Sequence, residues 1–125
     1  MVKFENKYGR CPVHYTLSQL EGKWKWIILW QIHEAGVVRY NKLKETLSPV
    51  AHKTLSQQLK EMEAGGLIHR EQYNQVPPKV EYSLTEKGKT LLPILNLMNE
   101  WGKANMIAEK LEVHKTCVIG RKAQA

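Results

Sequence analysis

Hydrophobic positions along this chain follow two different periods, and the changes between them mark its elements. In "CPVHYTLSQLEG" Val13, Leu17 and Leu20 recur at i, i+4 and i+7, which is one apolar face of a short helix. Pro12 suits its first position and Gly22 its end. "WKWIILWQIHEAG" sets Trp24, Ile27, Ile28 and Trp30 in a dense apolar run that stops at Gly36, and it predicts a nearly buried central helix. A β-favouring piece over residues 37–40 leads into a short helix over 41–47, with Leu43 and Leu47 inward and Ser48-Pro49 as the turn after it. In "AHKTLSQQLKEMEAGG" Leu55, Leu59 and Met62 share one helical face. Lys53, Gln57 and Lys60 lie opposite, flanked by Thr54, Ser56 and Glu61, and Gly65-Gly66 stops the helix.

The period then falls to two. "LIHREQYNQ" and "KVEYSL" alternate as strands do, with Val80, Tyr82 and Leu84 on one side and Glu81 and Ser83 on the other. Pro77 and Pro78 separate the two strands, and Lys79 follows them directly. Thr85 is placed to cap a last, long helix running from Glu86 to beyond Met106, bent at Pro93. Its Leu91, Leu92, Ile94, Leu95, Met98 and Trp101 offer more apolar surface than one small core uses, so the helix is expected to pack on a second copy of itself. "HKTCVIGRKAQA" has no period and reads as a flexible tail. The expectation is an α+β fold, mostly α, in one domain over residues 1–125. Its core spans 11–101 and a C-terminal dimerisation helix covers about 86–112.

Composition narrows the function classes. With 42% hydrophobic and 25% charged residues the chain reads as an ordinary globular protein. No apolar run approaches the roughly 18 residues of a membrane span, and the start has no apolar signal region, so a cytoplasmic location with no membrane partner is expected. Two distant cysteines, Cys11 and Cys117, are no disulfide scaffold. Cys11 and His14 would make half a zinc site, with no second half in view, so no metal and no cofactor is expected. The histidines at 14, 33, 52, 69 and 114 are scattered, and neither a Gly-rich phosphate loop nor a paired-carboxylate motif occurs, which argues against an enzyme. The net charge of +7 favours a polyanion partner, but no block is strongly polybasic, so the placement of the charges decides.

Two short helices followed by a hairpin form the winged helix-turn-helix plan. The second helix of the pair enters the DNA major groove, and the hairpin reaches the flanking backbone or minor groove. Pro77 and Pro78 stiffen the hairpin tip and lower its ordering cost on binding, while Lys79 and Arg70 supply charge for phosphate. Gln57 can bond an adenine edge, Lys53 and Lys60 can reach guanine or phosphate, and Thr54 and Ser56 can contact either. His52 and Gln58 complete the candidate DNA-facing set. The rival readings are a solvated helix face and a winged helix used only to bind protein.

"CPVHYTLSQLEGKW", "LSQQLKEMEAGGLIHREQYNQVPPKVEYSLTEKG" and "LLPILNLMNEW" together resemble the HxlR family of bacterial winged-helix transcription regulators, from about residue 11 to 101. The most specific pieces are Cys11-Pro12-Val13, Gly22-Lys23-Trp24 and "VPPKVEYSLTEKG". The resemblance implies a homodimer held by terminal helices, a palindrome-like double-stranded operator, and repression or activation of nearby genes. It implies that Lys53, Thr54 and Gln57 enter the major groove and that Lys79 marks the wing. Where many members start the recognition helix with serine, this chain has Ala51; loss of an N-cap hydroxyl costs about 1 kcal/mol, unless Ser48 caps from an earlier turn.

Several regulators of that family sense oxidants or electrophiles through a cysteine at the position of Cys11. The local chemistry agrees, because a thiolate at a helix N-terminus is stabilised by the dipole and free N–H groups, with Lys7, Arg10 and His14 close in sequence. The alternative is an inert apolar plug. Cys117 is the candidate resolving thiol, from the partner subunit. Trp24, Trp26, Trp30 and Trp101 either line a small-molecule effector pocket or serve as core aromatics, with Trp26 the exception. An effector pocket would make a small-molecule regulator without a thiol switch.

Overall fold

The computed structural model describes residues 11–113. Helix α1 spans Pro12–Leu20 and α2 spans Lys25–Ala35, ending at Gly36, whose φ of +80° lets its N–H return to the Ile32 carbonyl at 2.8 Å. Strand β1 is Val37–Arg39, helix α3 is Tyr40–Thr46 and helix α4 is His52–Ala64. The hairpin follows as β2, Ile68–Tyr73, and β3, Lys79–Leu84. Helices α5, Glu86–Lys89, and α6, Leu92–Ala108, are the last elements among the described residues. The three strands are antiparallel in the order β1-β3-β2, with Val38 opposite Tyr82 and Arg70 opposite Tyr82 on its other side. No helix among the described residues is long and apolar enough to cross a membrane.

One core holds these elements together. Ile28, Leu29 and Ile32 of α2 are wholly buried and meet Leu55, Leu59 and Met62 from the predicted inner face of α4. Leu43, Leu47 and Val50 close the core under the helix-turn-helix, and Leu67, Ile68 and Tyr82 close it under the sheet. Truncating one of these leucines to alanine removes the transfer energy and leaves a cavity, about 2–5 kcal/mol. Trp24 and Trp30 pack partly buried against this core, as expected of core aromatics, and Trp26, expected as the exception, does so too. Trp101 does not; it is 72% exposed on the outer side of α6.

The expected single long helix from Glu86 is two helices. Thr85 caps only α5, its Oγ1 accepting from the Gly88 N–H at 2.9 Å. That turn ends at Thr90, and Pro93 lies in the first turn of α6 instead of bending a continuous rod. Proline lacks the N–H that a helix interior needs but fits a first turn, so the chain restarts there. The same Oγ1 donates to the Gly66 carbonyl, and Lys87 Nζ donates to the Gly65 carbonyl at 2.9 Å, so the segment before α6 is tied to the turn that opens the hairpin.

Candidate nucleic-acid interface

Helix α4 presents its polar face away from the core because Leu55, Leu59 and Met62 fix its rotation. His52, Lys53, Gln57 and Lys60 are exposed, and Thr54 and Ser56 are half-buried at the margins. Gln58 is not on this face. Its Oε1 is buried without a hydrogen-bond partner among the described residues, and it points back toward the Gly22 turn. On a helix the residue beside Leu59 and one turn from Leu55 falls at the edge of the apolar stripe, which the sequence reading placed outward by one position.

The first turn of α4 has no side-chain cap: Ala51 offers none, and Ser48 does not supply one from the preceding turn. Tyr40, at the start of α3, braces it instead. Its hydroxyl lies 2.5 Å from His52 Nδ1, 3.4 Å from the His52 carbonyl and 3.3 Å from Ser56 Oγ, with its ring edge-on to the imidazole. At the other end of the polar face, Gln57 Nε2 donates to Glu61 Oε2 at 2.8 Å, and Glu61 Oε1 pairs with Lys25 of α2 at 2.6 Å. Lys25 holds the Glu61 carboxyl below its ordinary range, and Gln57 adds to the effect.

The hairpin tip, residues 74–78, carries no charge, and Val76 at its crest is 99% exposed beside the two prolines. Lys79 is not on the tip. It opens β3 with its ammonium 4.3 Å above the centre of the Tyr73 ring and 3.7 Å from Glu81. The Tyr73 hydroxyl is pushed up by its hydrogen bond to the Glu81 carboxylate. Arg70 Nη2 donates to Gln72 Oε1 at 3.2 Å and faces Tyr82, whose hydroxyl is pushed up by burial against the opposing pull of Arg70.

Between α4 and the hairpin lies a groove of about 690 Å³. Arg39, Lys42, Lys60, Arg70 and Lys79 line it, with His52, Ser56, Tyr40 and the two prolines, and Glu63 is the one acid in that lining. It therefore gathers Lys60, Arg70 and Lys79, which the sequence marked, with Arg39 and Lys42, which it did not. Those two lie before α4 in sequence, and only the pairing of β1 with β3 carries them to the hairpin. A cationic groove suits a run of backbone phosphate, and the exposed α4 residues beside it are of types able to bond base edges. Among the described residues no three His, Cys, Asp or Glu side chains gather to hold a metal.

Cys11 is exposed at the N-cap of α1, its carbonyl accepting from the Tyr15 N–H at 2.9 Å. Lys7, Arg10 and Cys117 lie outside the described residues. Val13 and Leu17, expected to turn inward with Leu20, are 65% and 45% exposed. Ile94, Leu97, Met98, Trp101 and Ile107 of α6 are likewise uncovered in the protomer.

A helix-turn-helix with a hairpin wing and a basic groove between them defines the class: a winged helix-turn-helix transcriptional regulator. The family model described as HxlR-like helix-turn-helix matches residues 19–110, and the chain belongs to that family. A relative from Fusobacterium mortiferum, MalR, is 55% identical over 101 residues, covering 81% of this chain and 94% of its own. YybR of Bacillus subtilis, an HTH-type transcriptional regulator, is 48% identical over 102 residues, 82% of this chain and 80% of its own. Among solved structures, the redox regulator HypR in its reduced form matches with a TM-score of 0.75 at 45% identity, covering 80% of this chain and 98% of that one. Its oxidised form matches at 0.71 and 48% identity, covering 75% and 96%.

Proposed function

We propose that this regulator binds double-stranded operator DNA sequence-specifically, as a homodimer on a palindrome-like site, and that oxidants or electrophiles control it through Cys11. The observation that carries the DNA reading is the groove between α4 and the wing, lined by five cations and one acid beside an exposed polar helix face, with Lys42 and Lys79 also paired to Glu45 and Glu81 at its margins. A solvated face has no need to collect charge from β1, α3, α4 and both wing strands in one place. Lys53, Thr54 and Gln57 enter the major groove, with His52, Ser56 and Lys60 at its edge. Arg70, Lys79 and the proline-stiffened tip meet the flanking backbone. The uncovered apolar residues of α6 and α1 supply the surface for a second copy.

The thiol reading is supported by the exposure of Cys11 at a helix N-terminus and by the likeness to the redox regulator HypR. Cys11 shares α1 with Val13 and Leu17, so alkylation of its sulfur, or oxidation by a peroxide and capture by a second thiol, would disturb a helix that meets the partner. The angle between the two recognition helices would change with it. Cys117 of the partner subunit is the candidate second thiol.

The test is fluorescence anisotropy on the DNA upstream of the protein's own coding sequence, across salt, with reduced protein and with protein treated with a quinone. Tight binding that weakens steeply with salt and changes after treatment, except in Cys11→Ser, is expected. Binding indifferent to treatment removes the thiol switch. Absence of specific binding in both states removes the DNA reading for that operator and favours a protein-interaction module.

A further inference from the structure

Among the described residues Lys25 is the one buried charged residue, 7% exposed, and neither base reading nor the groove employs it. It reaches from α2 to Glu61 on α4, and Glu61 in turn receives the amide of Gln57 one turn earlier. We infer that Lys25 is a positioning residue for base reading, which acts through Glu61 to hold the Gln57 amide in the orientation that recognises adenine. The inference rests on the DNA-reading role proposed above and deepens it.

The chemistry of the three groups dictates the orientation. A carboxylate only accepts, so Gln57 must turn its nitrogen, not its oxygen, toward Glu61. That leaves one N–H and the Oε1 of Gln57 facing outward. A donor beside an acceptor is the complement of adenine N7 and N6 in the major groove. Without an anchor the amide would rotate freely and pay the ordering cost on binding. Glu61 can anchor it only while its carboxylate is held in place, and the 2.6 Å pair with Lys25 holds it. The Lys25 side chain is 8% exposed against 41% for Glu61, so the fixed end of the relay is buried and the adjustable end lies at the surface. Lys25 also cancels a negative charge that would otherwise stand beside phosphates on a DNA-facing helix.

A purely structural link between α2 and α4 would look similar in the free protein but behave differently in a selection. Full-length protein is challenged with a random-sequence duplex pool, and bound DNA is sequenced for the native chain and for Gln57→Ala, Lys25→Met and Glu61→Gln. The native motif is expected to contain an A·T column that Gln57→Ala flattens. Lys25→Met is expected to weaken preference in that same column on the order of tenfold and leave the other columns unchanged. Glu61→Gln keeps the shape and a hydrogen bond to Lys25 but can present a donor to Gln57, so the preferred base in that column is expected to weaken or change. Should Lys25→Met fail to fold by circular dichroism, Glu61→Gln decides alone. An unchanged column, or an equal loss across every column, overturns the inference. A native motif without any column that depends on Gln57 overturns the base-reading role itself, and is told apart from the former because the unsubstituted protein reports it.

Discussion

Tyr73 and Lys79 are register partners at the end of the hairpin, and the Lys79 ammonium lies 4.3 Å from the centre of the Tyr73 ring. The pair fixes the wing's cation before any DNA arrives. Glu81, 3.7 Å from the same ammonium, completes the arrangement, and the Lys79 side chain is only 27% exposed. A lysine held in this way would have little rotamer entropy left to lose on the proposed contact with phosphate.

Lys79→Ala is therefore expected to weaken DNA binding about equally on all sequences. The slope of log affinity against log salt should fall by roughly one phosphate contact. Tyr73→Ala keeps the charge and frees it, so it should lower affinity without changing the slope. Anisotropy titrations at several salt concentrations separate the two.

Gly88 is required for steric reasons. A Cβ there would lie 2.1 Å from the Leu67 carbonyl oxygen, which is backbone and cannot turn aside. Gly88→Ala should destabilise the protein by about 3 kcal/mol, at the upper end of overpacking costs. Urea unfolding should show a lower midpoint with an unchanged slope. The joint it disrupts connects the wing to α5, which leads into α6, so α6 should also lose protection in hydrogen exchange.

Glu61 supplies a pH signature. Its folded pKa lies below the ordinary 4.5 because Lys25, and then Gln57, hydrogen-bond the carboxylate. A depressed carboxylate contributes stability that is fully present above the unfolded value and is lost as pH falls through the folded one. The stability advantage of the native chain over Glu61→Gln should be constant near neutrality and should decline below pH 4.5. Denaturant midpoints of both proteins at pH 7 and in mild acid check this.

Leu97 and Trp101 are 70% and 72% exposed on α6, well outside the core. Leu97→Glu or Trp101→Glu should leave the chain folded by circular dichroism and convert the proposed dimer to monomer in sedimentation velocity. Affinity for a two-half-site operator should fall with it, because the second half-site no longer gains from the effective concentration that a linked pair provides.

Much of this could be read along the chain, and the residues show where reading stopped. The inner face of α4 was legible because Leu55, Leu59 and Met62 repeat with a clean helical period. The hairpin was legible because its strands alternate on either side of two prolines. The break at Thr90 was not, since Leu91 to Leu95 continue the apolar run across it and only the C-cap at Thr90, whose hydroxyl donates to the Lys87 carbonyl, ends the first piece. Lys25 stood in sequence as one more cation between tryptophans, and its burial depends on Glu61, which lies on another helix. Arg39 and Lys42 were passed over for the same reason: the groove is made by strand pairing across the sheet, and no local pattern records that β1 lies beside β3. Gln58 was placed outward because one position on a helical wheel separates the edge of a stripe from its exposed neighbour.

Hydroxyl-radical footprinting of the full-length protein on its upstream DNA tests the central claim most directly. Two protected patches are expected, centred about 10 bp or a multiple of that apart, and both should disappear in the Lys53→Ala, Gln57→Ala double variant. Uniform cleavage with the native protein, or patches that survive the double substitution, would contradict the assignment of α4 as the element that reads DNA.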